Sequence, residues 1–185
     1  MDAIWWQGWL DGVRQVVSPN CDQRPPGVEP WLVVVHAISL PPDSFGGPAV
    51  EQLFTNTLDH DEHPYYERIA GLRVSAHFLI RRDGEVLQFV STDERAWHAG
   101  VSCWRGQERC NDFSVGIELE GCDTMGFEPA QYERLAGLID ALRARYPIRE
   151  VVGHSDIAPG RKTDPGPCFD WGRVGLEGPK DSGGG

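Results

Sequence analysis

No run of about 18 apolar residues occurs in this 185-residue chain, which excludes an ordinary transmembrane helix. Basic residues are scarce: 17 Lys and Arg stand against 28 Asp and Glu, a formal charge of −11. Such a surface repels phosphate backbones and anionic lipid, so neither nucleic acid nor membrane is an expected partner. The five cysteines, at 21, 103, 110, 122 and 168, contain no C-x-x-C pair. An odd set without that spacing argues against a disulfide framework and against a cysteine-only zinc site. The first residues, Met1-Asp2-Ala3-Ile4-Trp5-Trp6-Gln7-Gly8, show no basic segment leading into an apolar one, and no early cysteine for lipidation. They do not read as a secretory signal. A reducing cytoplasm is the expected location. No internal repeat is visible.

What is present suffices for a packed core: 40% of the residues are hydrophobic and seven are Trp. At roughly 150 residues per domain, one domain is expected. It should span 1–177, with 178–185 a flexible C-terminal tail, and a monomer is expected. Twenty-two glycines and 14 prolines make the chain loop-rich. Residues 18–30 read as surface loop. Trp31-Leu-Val-Val-Val-His36 predicts a short buried strand with His36 at its end. Residues 49–57 predict a short helix. Residues 59–71 are polar, and Pro64 interrupts any helix there. Arg73 to Arg81 and Glu85 to Val90 read as a hairpin about Asp83-Gly84. In Phe113 to Glu120, Val115, Ile117 and Leu119 share one face, and Ser114, Gly116, Glu118 and Glu120 the other. Pro129 to Tyr146 predicts the best helix. Its apolar positions Leu135, Leu138, Ile139, Leu142 and Tyr146 step by three or four, and Pro129 suits a first turn. Val151-Val-Gly-His154 is a second short strand ending in His, and 155–169 returns to loop. The interleaving predicts an α/β fold, a single domain with a mixed central β-sheet flanked by helices.

Two apolar strands therefore end in histidine, at 36 and 154. Strand ends are rigid and face the loops where open α/β sheets place their sites. Asp164 follows ten residues after His154, within Arg161-Lys-Thr-Asp-Pro-Gly-Pro167. Two imidazoles and a carboxylate make an open site for one zinc ion, with a fourth position for water. Spacing alone equally permits two histidines that only cap core strands. Lys162 is suited to steady a developing oxyanion, or to a solvated loop. Glu118 is suited to act as general base. Glu120 faces the same way about 7 Å along the strand. That pair also permits a glycosidase with one acid and one base, or two solvent-facing edge charges. His77 and His98 read as hydrogen-bonded core or pocket histidines, each open to a ligand or substrate contact. Asp59-His-Asp-Glu-His63 is metal-like in composition but lacks the H-E-x-x-H spacing, and reads as solvated loop.

Several longer stretches are familiar together. They are Val35-His-Ala-Ile-Ser-Leu-Pro-Pro42, Leu72-Arg-Val-Ser-Ala-His77, Arg95-Ala-Trp-His-Ala-Gly100, Arg109-Cys-Asn-Asp-Phe-Ser-Val-Gly-Ile-Glu-Leu-Glu-Gly121, Gly153-His154 and Arg161 to Pro167. In these the chain resembles the zinc-dependent N-acetylmuramoyl-L-alanine amidases, related to phage lysozyme-type amidases and peptidoglycan recognition proteins. The resemblance covers about residues 31–174 of the chain. It implies hydrolysis of the amide between (1,6-anhydro-)N-acetylmuramic acid and L-alanine, in cell-wall recycling, with an anhydro-muropeptide as substrate. It implies His36, His154 and Asp164 as ligands of one Zn2+, and Glu118 and Lys162 as the catalytic pair. A substrate with peptide carboxylates makes Arg73 and Arg109 candidates to hold it. Trp97 and His98 are candidates for the sugar side. One departure is visible: the family stretch reads His-Asn-Ile-Ser, and here Ala37 follows His36. That removes a polar side chain near the metal without removing a ligand. Two alternatives remain: a binding-only module on the same fold, expected to lack a zinc ligand, and a secreted wall-lytic amidase, which needs an export signal.

Overall fold

Leu32 to Val35 is an apolar run with no polar face to give to solvent, and it is buried on both sides. It lies in the second, in chain order, of the six strands of the central sheet: β1 (Arg14–Gln15), β2 (Leu32–Ile38), β3 (Phe78–Ile80), β4 (Val86–Gln88), β5 (Ser114–Glu120) and β6 (Glu150–Gly153). Their order across the sheet is β6-β2-β5-β3-β4-β1. All neighbours are parallel except β3 and β4, the antiparallel hairpin at Asp83-Gly84, so the sheet is mixed as expected. Gly84 makes that turn at φ +88°, a conformation glycine adopts at little cost. The structure is a computed structural model that describes residues 3–176, so the expected tail at 178–185 lies outside the described residues.

Among the described residues four α-helices accompany the sheet: α1 (Ala49–Phe54), α2 (Pro64–Arg68), α3 (Pro129–Arg145) and α4 (His154–Ile157). The three-and-four spacing of α3 puts Leu135, Leu138, Ile139 and Leu142 against Val33, Val35, Val115 and Ile117 on one face of the sheet. On the other face α1 packs Val50, Leu53 and Phe54 with Leu79, Leu87 and Phe89. Beside them Leu32, Val34, Phe113, Val152 and Ile157 form a third cluster. Gln131 ties the start of α3 to the strand ends, donating to the Glu120 carbonyl at 3.0 Å. Leu135 is fully buried between helix and sheet. Leu135→Ala should cost about 2–5 kcal/mol of stability. A denaturant melt with an unchanged slope and a lower midpoint is the expected result.

Several local readings change. β2 runs on past His36 to Ile38, so His36 is not its last residue. Residues 18–30 are not all surface loop, since Cys21–Gln23 pairs as a strand with Glu94–Ala96 and Ser18, Asn20 and Arg24 are buried. Pro64 does not break a helix but opens α2, because proline suits a first turn and His63 Nδ1 accepts from Tyr65 N–H at 3.0 Å. The strand expected from Arg73 shortens to β3, since Ser75 N–H turns to the Trp97 carbonyl (3.1 Å). His154 is not the last residue of a strand but the first of α4.

Candidate metal centre and active site

Glu118 on β5 and His36 on β2 are register partners on adjacent parallel strands. The two-residue alternation puts both on the face away from α3. β6 runs beside β2 and delivers His154 at the same end of the sheet. The loop after α4 then folds back, and Ser155 N–H donates to the Asp164 carbonyl at 2.9 Å. Gly153 permits that approach, because a Cβ there would stand 2.8 Å from Pro165 Cδ. Thr163 Oγ1 fastens the other side of the loop to Asp123 at 2.6 Å.

Three donor atoms converge as a result. His36 Nδ1 and His154 Nδ1 are 2.9 Å apart, and Asp164 Oδ2 lies 3.2 Å from the first and 3.1 Å from the second. Donors around one tetrahedral zinc, with bonds of about 2.0–2.1 Å, stand about 3.3 Å apart. The triangle therefore has the size and the donor chemistry that zinc takes, and among the described residues it is the one such group. His154 Nε2 faces the Ala99 carbonyl at 3.1 Å. A carbonyl only accepts, so Nε2 carries the proton and Nδ1 presents its lone pair to the triangle. Burial pushes the His36 imidazole down to about 4 despite the Asp164 hydrogen bond, which keeps it neutral near pH 7.

Among the described residues, Glu118 Oε2 is buried without a hydrogen-bond partner. A carboxylate oxygen left so is costly and calls for an explanation. Burial, with the Asp164 carboxylate adding repulsion, pushes its carboxyl well above the usual range, while Lys162 pulls the other way. Glu118, His154, Lys162 and Asp164 line one side of a cleft of about 510 Å³, whose other wall is apolar, with Leu40, Phe54, Ile69 and Val74. Ala37 lines it too.

The remaining sequence candidates separate. Arg73 is exposed between Leu72 and Val74, which line the cleft. Arg109 is exposed, pairs with Asp112 at 3.2 Å, and lines a separate depression of about 520 Å³. Trp97 is not brought to the cleft wall: its indole N–H donates to Asp22 at 3.1 Å. His98 does line the cleft, but its nitrogens lie 2.8 Å from His36 Nε2 and 3.1 Å from Ser114 Oγ, engaged within the protein. His77 is structural, its Nδ1 accepting from Gly116 N–H and its Nε2 facing the Glu94 carbonyl, both at 3.0 Å. β5 is a central strand, so Glu118 and Glu120 are not edge charges. Glu120 accepts from Arg81 at 3.0 Å and from Gly46 N–H at 2.6 Å. That commits its carboxylate and removes the acid–base pair a glycosidase needs.

Sequence reasoning missed Arg161 and the apolar wall. Arg161 lines both depressions and donates to the carbonyls of Ala99 at 2.7 Å and Val101 at 2.8 Å. Its only signal was its place beside Lys162. The apolar wall had none, because its residues come from separate loops and short helices.

A mixed sheet carrying a His–His–Asp donor set beside a buried glutamate is the frame of an amide hydrolase. Residues 26–167 match the family described as N-acetylmuramoyl-L-alanine amidase, and the chain belongs to that family of enzymes. Within it the chain is similar to the 1,6-anhydro-N-acetylmuramyl-L-alanine amidase AmpD of Escherichia coli. The two are 60% identical over 169 residues, 90% of this chain and 92% of that protein. The crystal structure of a selenomethionine AmpD derivative superposes with a TM-score of 0.90 at 58% identity, over 92% of this chain and 97% of that one. The amidase AmiD from E. coli, solved with the substrate anhydro-N-acetylmuramic acid-L-Ala-D-γ-Glu-L-Lys, gives 0.58 at 32% identity. There the match covers 83% of this chain and 60% of the other.

Proposed function

We propose that the protein hydrolyses the amide joining 1,6-anhydro-N-acetylmuramic acid to L-alanine of a peptidoglycan stem peptide. It does so as a zinc-dependent enzyme of cytoplasmic cell-wall recycling, with a catalytic domain spanning 1–177. The observation that carries the reading is the His36–His154–Asp164 triangle in one cleft with Glu118, whose Oε2 has no hydrogen-bond partner among the described residues. The AmpD relative supports the substrate, as does the anhydro-muramyl peptide in the AmiD complex. No helix among the described residues is long and apolar enough to cross a membrane.

His36, His154 and Asp164 hold one zinc ion, which when bound supplies Lewis acidity that acidifies water and polarises an amide carbonyl. Glu118 accepts the proton of the attacking water and returns it to the alanine nitrogen as the C–N bond breaks. An elevated pKa suits a group that must take up and release one proton in each turnover. Lys162 stands against the tetrahedral oxyanion. Arg73, beside the cleft, and Arg109, in the second depression that Arg161 also lines, supply positive charge for the peptide carboxylates on an otherwise acidic protein.

Incubation with 1,6-anhydro-muramyl tripeptide, followed by mass analysis, tests the reading. Free tripeptide should appear, disappear with a chelator and return with zinc. Intact substrate in the zinc-loaded sample would instead favour a binding module. Lys162→Ala should lower kcat about 10²–10³-fold, the usual value of one oxyanion donor, with zinc content unchanged. A kcat within threefold of wild type would remove Lys162 from that role.

A further inference from the structure

Behind His36 a second histidine belongs to a chain of hydrogen bonds whose direction is fixed at its far end. The Cys110 carbonyl only accepts, so Ser114 Oγ, 2.6 Å away, donates to it. That uses the hydroxyl's one proton, and Ser114 Oγ meets His98 Nε2 at 3.1 Å as an acceptor. His98 Nε2 therefore carries the proton, and in a singly protonated ring Nδ1 is left to accept. His98 Nδ1 stands 2.8 Å from His36 Nε2, which must then be the donor. What remains on His36 is a lone pair at Nδ1, the atom that joins His154 and Asp164 in the triangle.

The sheet is shaped to seat His98. Ser114 and Gly116 lie on the same face of β5. A Cβ at 116 would stand 2.4 Å from His98 Cγ, nearer than real side chains approach. The backbone at His98 and Ala99 is pinned by donation to Asn111 Oδ1, at 3.2 and 2.8 Å. The rings of His36 and His98 meet edge to face, 4.9 Å between centroids and 88° between planes.

We propose that His98 is a positioning residue for the metal ligand His36: backed by Ser114 and the Cys110 carbonyl, it fixes His36 in the tautomer that ligates through Nδ1, on a seat that Gly116 keeps open. The proposal rests on reading His36, His154 and Asp164 as the zinc ligands. It gives His98 a task at the metal in place of the substrate contact expected from sequence. Loss of such an outer partner typically weakens metal binding about 10–100-fold.

Zinc affinity, measured by competition with a chromophoric chelator, is the readout. His98→Leu removes the acceptor and should weaken binding about 10–100-fold. His98→Asn keeps a side-chain oxygen that can accept from His36, and should recover most of that loss. Gly116→Ala displaces the ring and should behave like His98→Leu. Equal losses in the Leu and Asn variants would mean packing rather than the hydrogen bond, and would overturn the proposal. Imidazole nitrogen NMR of the zinc-loaded wild type needs no variant. It should show the protons of His36 and His98 both at Nε2. A His36 proton at Nδ1 overturns the proposal whether or not the variants fold. His154→Ala separates the two readings. If it binds zinc as wild type does, the ligand set itself is wrong. If it loses zinc while His98→Leu and Gly116→Ala keep full affinity, only the role of His98 falls.

Discussion

Asp164→Ala should abolish zinc retention and lower kcat/KM by at least about 10³-fold. Metal assistance is worth several kcal/mol of transition-state stabilisation, and each 1.36 kcal/mol is about tenfold in rate. Asp164 is the one anionic member of the triangle, 3.2 and 3.1 Å from the two imidazole nitrogens. Without it two imidazoles face each other, and the charge that offsets a divalent cation in a half-buried site is gone. Metal content after dialysis and turnover should fall together. Stability gives an independent reading. Zinc at 100 times its Kd should stabilise the wild type by about 2.7 kcal/mol and leave the variant unmoved. A variant that kept both zinc and turnover would end the assignment of Asp164.

The parts of this arrangement legible in the sequence are those governed by local periodicity. The valine run before His36, the alternation through Glu118 and the three-and-four spacing of α3 each reflect which side chains face apolar neighbours. They place His36, Glu118 and His154 near element ends without any knowledge of the fold. Sheet order was not legible, because the placement of β5 between β2 and β3 depends on contacts distant in sequence. Glu118 and Glu120 look alike in their strand. What separates them is Arg81, which pairs with Glu120 as well as with Glu51, whereas Glu118 Oε2 has no hydrogen-bond partner among the described residues. Trp97 and His98 look equally suited to a substrate wall. The fold turns the indole to Asp22 and the imidazole to His36. Pro64 was misread because a proline that breaks a helix and one that begins it differ only in what precedes them, here the His63 cap.

Glu118→Gln should lower kcat about 10²–10⁴-fold, the usual contribution of a positioned general base, while zinc content stays at wild type. The amide keeps the shape of the carboxylate but cannot take a proton from water, so KM should change little. The same substitution should make the metal-free protein more stable near neutral pH. Burial raises the folded-state pKa of Glu118 above its unfolded value of about 4.3. The folded chain thus holds a proton that the unfolded chain gives up. The penalty is absent below the unfolded pKa and grows as pH rises from there towards the folded one. Melting temperatures of wild type and Glu118→Gln, measured with a chelator, should coincide near pH 4 and separate by pH 7–8, the variant being higher. A lone buried carboxylate oxygen with no partner has this signature when it is kept for reaction rather than for folding. Turnover unaffected by the amide would remove Glu118 as the base. Melting curves that coincide across the whole pH range would mean that its burial carries no cost to folding.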